Sequence, residues 1–563
     1  MDKIKPAGRH GYLAIGALLG GLLLAYSVVF TTLAPGGLWT NTIAGETAWR
    51  ENDPGGYYLA SAHELGTPHS SQVFAGHPGL PVQAALAGIQ RALYLCRSAR
   101  DLGYTEYVAR HLGEVWWWSK LMSTVMHLVS LYCLFLLSRR LLGSSRSAML
   151  ATVAYGSSFP VLYYISRVSV EPWVLIWFCL AFLAILHLED AMAQQGRAGA
   201  VGWAAIAAAC AVSGAFTKMH LLAPLPVYCL AAILLGSPGL VGTAKPLARR
   251  RLVVGAAFVG VALVAALFYS QFMDWTEFLS YWLRESTPHL ADVQAPVSWA
   301  GILRVRIQQA WAALSLELLR PAPVGIVEAP FVALACWGAA VLARRVRLRT
   351  PLVWPAAYAF ATLALPFLRN QSRIWQGFHY LILGFAILAI AYGDLVARLV
   401  QRFRASRRSS VTLGALGLTI ALHGGAIWIA MQSRIHDVHE YRRANIGALY
   451  EAIAELGRGE RVLVVGAVPH HVHGLVSYAS AEHPSRLVAE VEDILLYEDE
   501  VPDRQRRRRG FERRGVTEVV DARGQPARAL SLDAWIRSRR SERQSGVDGG
   551  AERTEISHDG PAG

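Results

Sequence analysis

Trp49–Ala60 reads WRENDPGGYYLA and follows the first long apolar run, roughly Tyr12 to Ala34. A turn of the type Asp-Pro-Gly-Gly carrying Asp53, with Glu46 and Glu51 upstream and Tyr57 and Tyr58 behind it, has no obvious packing role at the edge of a membrane. Its composition suits a catalytic loop, because a carboxylate at an interface becomes a general base when partial desolvation and neighbouring charge tune it. Asp53 is the leading candidate, and Glu51 and Glu46 are its rivals. The plain alternative is an Asx-type turn with no chemistry.

Composition supports the membrane setting. Of 563 residues, 53% are hydrophobic and 17% charged, whereas soluble chains carry roughly 25% charged residues. The net charge of +14 sits in short Arg clusters between apolar runs, a placement that signals topology rather than nucleic-acid binding. The six cysteines show no CxxC or Cys/His ligand spacing, so neither a disulfide framework nor a zinc site is indicated. The first run is longer than a signal-peptide core and is followed by Pro35, so it reads as an uncleaved span.

About eleven segments approach the ~20 apolar residues that cross a hydrocarbon core. They are Tyr12–Ala34, Trp116–Leu137, Ala148–Ile165, Trp173–Leu188, Val201–Phe216, Leu221–Leu235, Leu252–Phe272, Ile326–Leu342, Pro351–Leu368, Phe378–Val396 and Val411–Met431. If they alternate, Lys3, Lys5 and Arg9, then Arg139, Arg140 and Arg146, then Lys245 with Arg249 to Arg251, and the later Arg344–Arg349 and Arg398–Arg408 clusters all face one side. The positive-inside rule makes that side the cytoplasm, together with the N-terminus. The loop with Asp53 and the C-terminal region then lie outside.

Within the first outer loop, Leu86, Ile89 and Leu93 share one helical face while Gln83, Gln90, Arg91 and Arg97 turn elsewhere. Tyr104, Val108, Leu112 and Val115 repeat this pattern, which predicts helices lying in the headgroup plane before Trp116 to Trp118 mark the interface. A second large outer loop, Asp274–Pro323, mixes Trp275, Trp282, Trp299 and Trp311 with Arg284, Arg304 and Arg306. Beyond Arg434 the chain turns soluble: RVLVV at Arg461–Val465 and VTEVV at Val516–Val520 read as buried strands of a small α/β domain. His470, His471 and His473 lack the carboxylate or Cys partners of a metal site. The expected division is therefore a transmembrane domain over 1–433, an extracytoplasmic α/β domain over 434–536 and a disordered tail over 537–563.

Asp53 ahead of Tyr57 and Tyr58, followed by GHPGLP at Gly76–Pro81, resembles the first outer loop of the GT-C glycosyltransferases. These are polyprenyl-phosphate-sugar-dependent membrane enzymes that include protein O-mannosyltransferases and lipid A aminoarabinose transferases. Family members carry a His-Pro-Pro-Leu or Lys-Pro-Pro-Leu stretch where this chain has His77-Pro78-Gly79-Leu80, one Gly away from the pattern. SRVSVEPWVL at Ser166–Leu175 is similar to the family's second acidic site, with Glu171 matching the acid and Arg167 the base. GAFTKMHLLAP at Gly214–Pro224 is similar to a Thr-Lys stretch and supplies Lys218. Arg369, Arg373, His379 and Tyr380 resemble late positions that face the donor's phosphate.

The resemblance implies a GT-C-like helical membrane protein that moves a sugar from a polyprenyl-phosphate donor to an acceptor hydroxyl, with inversion, at the outer face of a bacterial inner membrane. It assigns Asp53, Glu171 and Glu51 to catalysis, and Lys218, Arg167, Arg369 and Arg373 to the donor phosphate. Tyr57, Tyr58, His77, His379 and Tyr380 fall to substrate binding. Glu171 would position the acceptor or the base, or help hold a divalent cation if one is used; the residues name no metal. The partners implied are the lipid-linked donor, a glycan, lipid or protein acceptor, and the membrane. A different class, a lipid-linked glycan flippase or secondary transporter, would place its ionisable residues near the bilayer midplane in paired repeats; here they collect in outer loops.

Overall fold

The computed structural model describes residues 55–65, 79–96, 103–104, 107–108, 112–156, 161, 168–194, 197–236, 245–273, 275, 353–368, 378–404, 461–465, 516–521, 528–531 and 534. Two short helices come first, α1 (Gly55–Leu65) and α2 (Leu80–Cys96). They are followed by α3 (Leu112–Leu142), α4 (Ser145–Gly156), α5 (Glu171–Ala193), α6 (Arg197–Thr217), α7 (Met219–Leu222), α8 (Leu225–Leu235) and α9 (Lys245–Ser270). Next come α10 (Val353–Leu368) and α11 (Phe378–Arg404), then strands β1 (Arg461–Val465), β2 (Val516–Asp521) and β3 (Arg528–Ser531). The chain divides into two compact units, 1–104 with 113–438 and 105–112 with 439–563.

Five of the described helices are long and apolar enough to cross a membrane: Trp117–Leu142 in α3, Glu171–Ala193 in α5, Ala198–Thr217 in α6, Ala248–Ser270 in α9 and Ile382–Arg402 in α11. The expected first, eighth and eleventh spans lie outside the described residues. One expectation changes. Leu221–Leu235 is not one span, because Pro224 and Pro226 divide it into one turn (α7) and the 11-residue α8, which at ~1.5 Å per residue is about 16 Å long and half a hydrocarbon core. Of the expected span Ala148–Ile165, residues 148–156 belong to α4 and Val161 is helical, and the remainder lies outside the described residues.

The core explains how the helices stack. Helices α5 and α6 run antiparallel, with Ala191 beside Gly199, His187 stacked on Trp203 at 4.6 Å and Trp177 against Gly214. Small residues permit this closeness: a Cβ on Gly214 would meet Trp177 Cβ at 3.1 Å and Leu222 at 3.0 Å. The same device joins α4 to α11, where a Cβ on Gly393 would lie 2.6 Å from the backbone nitrogen of Ala151. Helix α3 ends at Gly143, whose φ of 65° stops it in a left-handed residue, and Ser144 then accepts the Ser147 N–H to start α4. On α9, Leu252, Leu263, Val264, Leu267 and Phe268 stay exposed, an apolar stripe that suits lipid better than water.

In the second unit β1 pairs in parallel with β2, and β2 pairs antiparallel with β3. The two strands read from the sequence are therefore present, and the third was not foreseen. Arg528–Ser531 (RALS) has too little alternation to stand out.

Candidate active site

At the top of the α5–α6 pair, Lys218 Nζ donates to Glu171 Oε1 at 2.9 Å, and both side chains are 6% exposed. Local structure sets up this pair. Glu171 is the first residue of α5 with Pro172 beside it, and no side chain caps that helix end, so the carboxylate answers the positive end of the helix dipole. Lys218 follows Thr217, the last residue of α6, and takes φ −147°, ψ 88°, so the ammonium answers a negative helix end. Each charge thus meets a helix terminus as well as its partner, which helps two charges persist away from water. Below the break, Tyr358 Oη donates to the Leu221 carbonyl at 2.7 Å, satisfying a backbone group that an unbroken helix would have bonded itself.

The opposite end of α5 is built differently. Arg251 on α9 grips Glu189 through two hydrogen bonds of 3.0 Å and donates to the Ile233 carbonyl at 2.6 Å. Gly236, with φ 69°, leaves room for the guanidinium, and its carbonyl accepts from Trp354 Nε1 at 3.2 Å. Arg140 of α3 pairs with Asp190 alongside. Arg140 and Arg251 belong to the clusters that the charge pattern assigns to the cytoplasm. They gather about 28 Å, the rise of ~19 helical residues, from Glu171 and Lys218. The candidate site and the arginine-rich end are therefore at opposite ends of the bundle.

The loop ahead of the site is partly described. Gly55 and Gly56, read as part of a turn, open α1 instead. Asp53, Glu51, Glu46, His77, Arg167, Arg369 and Arg373 lie outside the described residues. Tyr57, His379 and Tyr380 sit on α1 and α11, and their side chains are likewise outside them. Tyr58 is buried against Gly79, whose φ is 47° and whose added Cβ would strike the Tyr58 ring. Gly79 also offers its carbonyl to the N–H groups of Val82 and Gln83, both at 2.9 Å, and so starts α2. The departure from the Pro-Pro-Leu pattern thus has a local cause, since proline is held near φ −65°. Gly79→Pro, which restores the family's letters, is expected to destabilise the protein by about 2 kcal/mol or more, measured as a lowered Tm in detergent.

The polar face of α2 also differs from expectation. Gln83 and Gln90 are buried with Leu86, while Leu93 is only partly so. Their amides are needed inside: Gln90 Nε2 donates to the Leu59 carbonyl at 3.1 Å, and Gln90 Oε1 accepts from Tyr104 Oη at 3.1 Å. Tyr104 is in turn stacked on His63 at 5.0 Å, with Arg91 3.7 Å from its ring centre. Burial, and then the Arg91 charge, push the His63 pKa down, so this imidazole is held towards its neutral form. Leu112 and Val115, expected in a separate surface helix, belong instead to the first turns of α3.

Sequence reasoning missed a second polar group. Lys120, Ser123, Thr124 and His127 are all buried on α3, and their i, i+3, i+4, i+7 spacing was visible inside the second apolar run. Among the described residues, no cluster of three or more His, Cys, Asp or Glu could hold a metal ion.

No protein-family model matches the chain. A search of curated proteins finds the undecaprenyl phosphate-alpha-4-amino-4-deoxy-L-arabinose arabinosyl transferase of Pseudomonas aeruginosa, 26% identical over 310 residues. That match takes in 50% of this chain and 52% of the relative, so the chain spans about half the length of the curated relative it matches. Among solved structures, apo ArnT from Cupriavidus metallidurans aligns over 94% of this chain and 95% of its own, with a TM-score of 0.55 at 14% identity. The same protein bound to undecaprenyl phosphate aligns over 82% and 84%, with a TM-score of 0.48 at 13% identity. The apo comparison aligns almost the whole length of both chains, so this protein has the fold of ArnT.

Proposed function

We propose that this chain is a membrane glycosyltransferase that moves a sugar from a polyprenyl-phosphate donor to an acceptor hydroxyl on the outer face of a bacterial inner membrane. The observation that carries the reading is the buried Glu171–Lys218 pair, at the end of the bundle away from the arginine clusters, in a chain with the ArnT fold. An ionisable pair held at the mouth of membrane-spanning helices marks a functional site. In this reading the N-terminus is cytoplasmic, and residues 434–536 form an extracytoplasmic α/β domain.

Asp53 takes the proton from the acceptor hydroxyl, with Glu51 as the alternative base. The acceptor oxygen forms a bond to the anomeric carbon as the bond from that carbon to the phosphate oxygen breaks. The lipid phosphate leaves with the electron pair, and a single displacement inverts the anomeric centre. Lys218, Arg167, Arg369 and Arg373 stabilise the charge that grows on the phosphate, where electrostatic help lowers the barrier most. Lys218 has three N–H donors, and one is directed to Glu171; Glu171 therefore aims the ammonium as well as orienting the acceptor. Tyr57, Tyr58, His77, His379 and Tyr380 line the sugar and acceptor path.

The test is product formation. Purified protein supplied with a sugar-loaded polyprenyl phosphate and an acceptor extract should release free polyprenyl phosphate. A flippase or transporter would move the lipid and leave the glycosidic bond intact, and that result would end the proposal.

A further inference from the structure

Lys218 stands where the backbone is least able to hold itself. Helix α6 ends at Thr217, and α7 after it is a single turn of four residues, followed by Ala223 and Pro224. One turn of helix is not stable alone, because fixing its dihedrals costs more than its few hydrogen bonds contribute. Lys218 is built into that turn. Its N–H donates to the Gly214 carbonyl at 3.1 Å, and its own carbonyl accepts from the N–H groups of Leu221 and Leu222 at 3.1 and 2.8 Å. A group that fixes Leu221 therefore also fixes the backbone from which the ammonium reaches Glu171.

Tyr358 of α10 meets the turn from outside. It is 1% exposed, and its Oη donates to the Leu221 carbonyl at 2.7 Å. Its ring packs against Phe178 and Phe182 of α5, with centroids at 5.9 and 6.2 Å, and meets Tyr228 of α8 edge-on at 5.0 Å. Phe178 is about two turns along α5 from Glu171. The helix that carries the carboxylate thus holds the ring, and the hydroxyl on that ring holds the turn that carries the ammonium. Phenylalanine would serve the packing alone; the hydroxyl adds a directional bond, which is electrostatically stronger in a dry core than in water. Trp354, one turn away on α10, makes a bond of the same kind, from Nε1 to the Gly236 carbonyl at 3.2 Å. It reaches the far end of α8, which Arg251 also holds through the Ile233 carbonyl.

We infer that Tyr358 is a positioning residue for sugar transfer: its hydroxyl, through the Leu221 carbonyl and the α7 turn, holds the Lys218 ammonium in register with Glu171 and the leaving phosphate. This deepens the proposed function and rests on it. Tyr358 acts through α7 and not on the donor itself. Electrostatic help in a transition state depends on groups that are in place before the reaction begins, and lysine carries its charge on a flexible stem. A backbone fixed at Lys218 removes part of that freedom, and a misplacement of about 1 Å is enough to cost roughly 10²-fold in rate.

The test measures transfer kinetics of the full-length protein in nanodiscs, for wild type, Tyr358→Phe, Trp354→Phe and Tyr358→Phe added to Glu171→Leu/Lys218→Met. Tyr358→Phe keeps the ring and should lower kcat by about ten- to a hundredfold, with the donor KM changed by less than about threefold. Trp354→Phe also loses one hydrogen bond to a backbone carbonyl, so its Tm should fall by a similar amount while kcat stays at the wild-type value. A hydroxyl with only a structural role would lower the Tm and leave kcat unchanged in Tyr358→Phe as well, and that result would overturn the inference. In the background without either charge, Tyr358→Phe should leave the residual rate as it is, because the hydroxyl works through Lys218. A fall by the same factor with and without Lys218 would also overturn it. If wild type transfers sugar and Tyr358→Phe transfers it equally fast, this role is wrong and the enzyme reading stands; if wild type forms no product, the enzyme reading falls and the role falls with it.

Discussion

Asp53→Asn is expected to lower sugar transfer by about 10²- to 10⁴-fold, the range that a positioned general base contributes, with expression and membrane insertion staying at wild-type levels. Asn keeps the size and shape of Asp, but its amide replaces one acceptor oxygen with a donor NH2 and cannot take a proton at neutral pH. Binding of the polyprenyl-phosphate donor should therefore survive, and the loss should appear in kcat. Retained turnover in Asp53→Asn moves the base to Glu51 or Glu46, and the same substitution at those positions then identifies it. A loss of donor affinity equal to the loss of rate would instead make Asp53 part of the binding site, with the base elsewhere.

The parts of the fold legible in the sequence were those in which one physical property dominates a long window. The runs in α3, α5, α6, α9 and α11 are apolar on average and appear as helices of spanning length. RVLVV is short, but three valines and a leucine in succession separate it from its surroundings, and it forms β1. The errors arose where a local backbone event outweighed average hydropathy. Leu221–Leu235 is apolar throughout, yet Pro224 and Pro226 withhold two N–H groups and fix the turn between α7 and α8. Gln83 and Gln90 look like solvent-facing residues because their side chains are polar; only the Leu59 carbonyl and the Tyr104 hydroxyl, remote in sequence, reveal that Gln90 is needed inside.

The candidate site was legible for a different reason. Glu171 and Lys218 stand out because ionisable residues are rare beside apolar runs, and each was singled out separately on its own motif. That they touch could not be read from either motif, since it depends on α5 and α6 running antiparallel with the register set by Gly199 and Gly214. Lys120 obeyed the same rule and was overlooked, because an apolar run is averaged over its length and one Lys with several hydroxyls hardly lowers the mean. The better signal was the spacing of Lys120, Ser123, Thr124 and His127 on one face.

That contact between Glu171 and Lys218 separates what the pair does for stability from what it does for chemistry. Glu171→Gln leaves the Lys218 ammonium, and Lys218→Met leaves the Glu171 carboxylate, without the opposite charge that now lies 2.9 Å away. Each single change should cost about 3 kcal/mol and lower the Tm. The double variant Glu171→Leu/Lys218→Met removes both charges and fills the space with apolar atoms, so its stability should return to near that of wild type, as it does when buried ion pairs elsewhere are replaced whole. Transfer should not return with it, because the ammonium that meets the leaving phosphate is gone; activity at least 10²-fold below wild type in a protein of normal Tm is the expected outcome. Full activity in the stable double variant would make the pair a folding device alone and shift the phosphate to Arg167, Arg369 and Arg373. The measurement therefore distinguishes a charge kept for the reaction from one kept for the bundle.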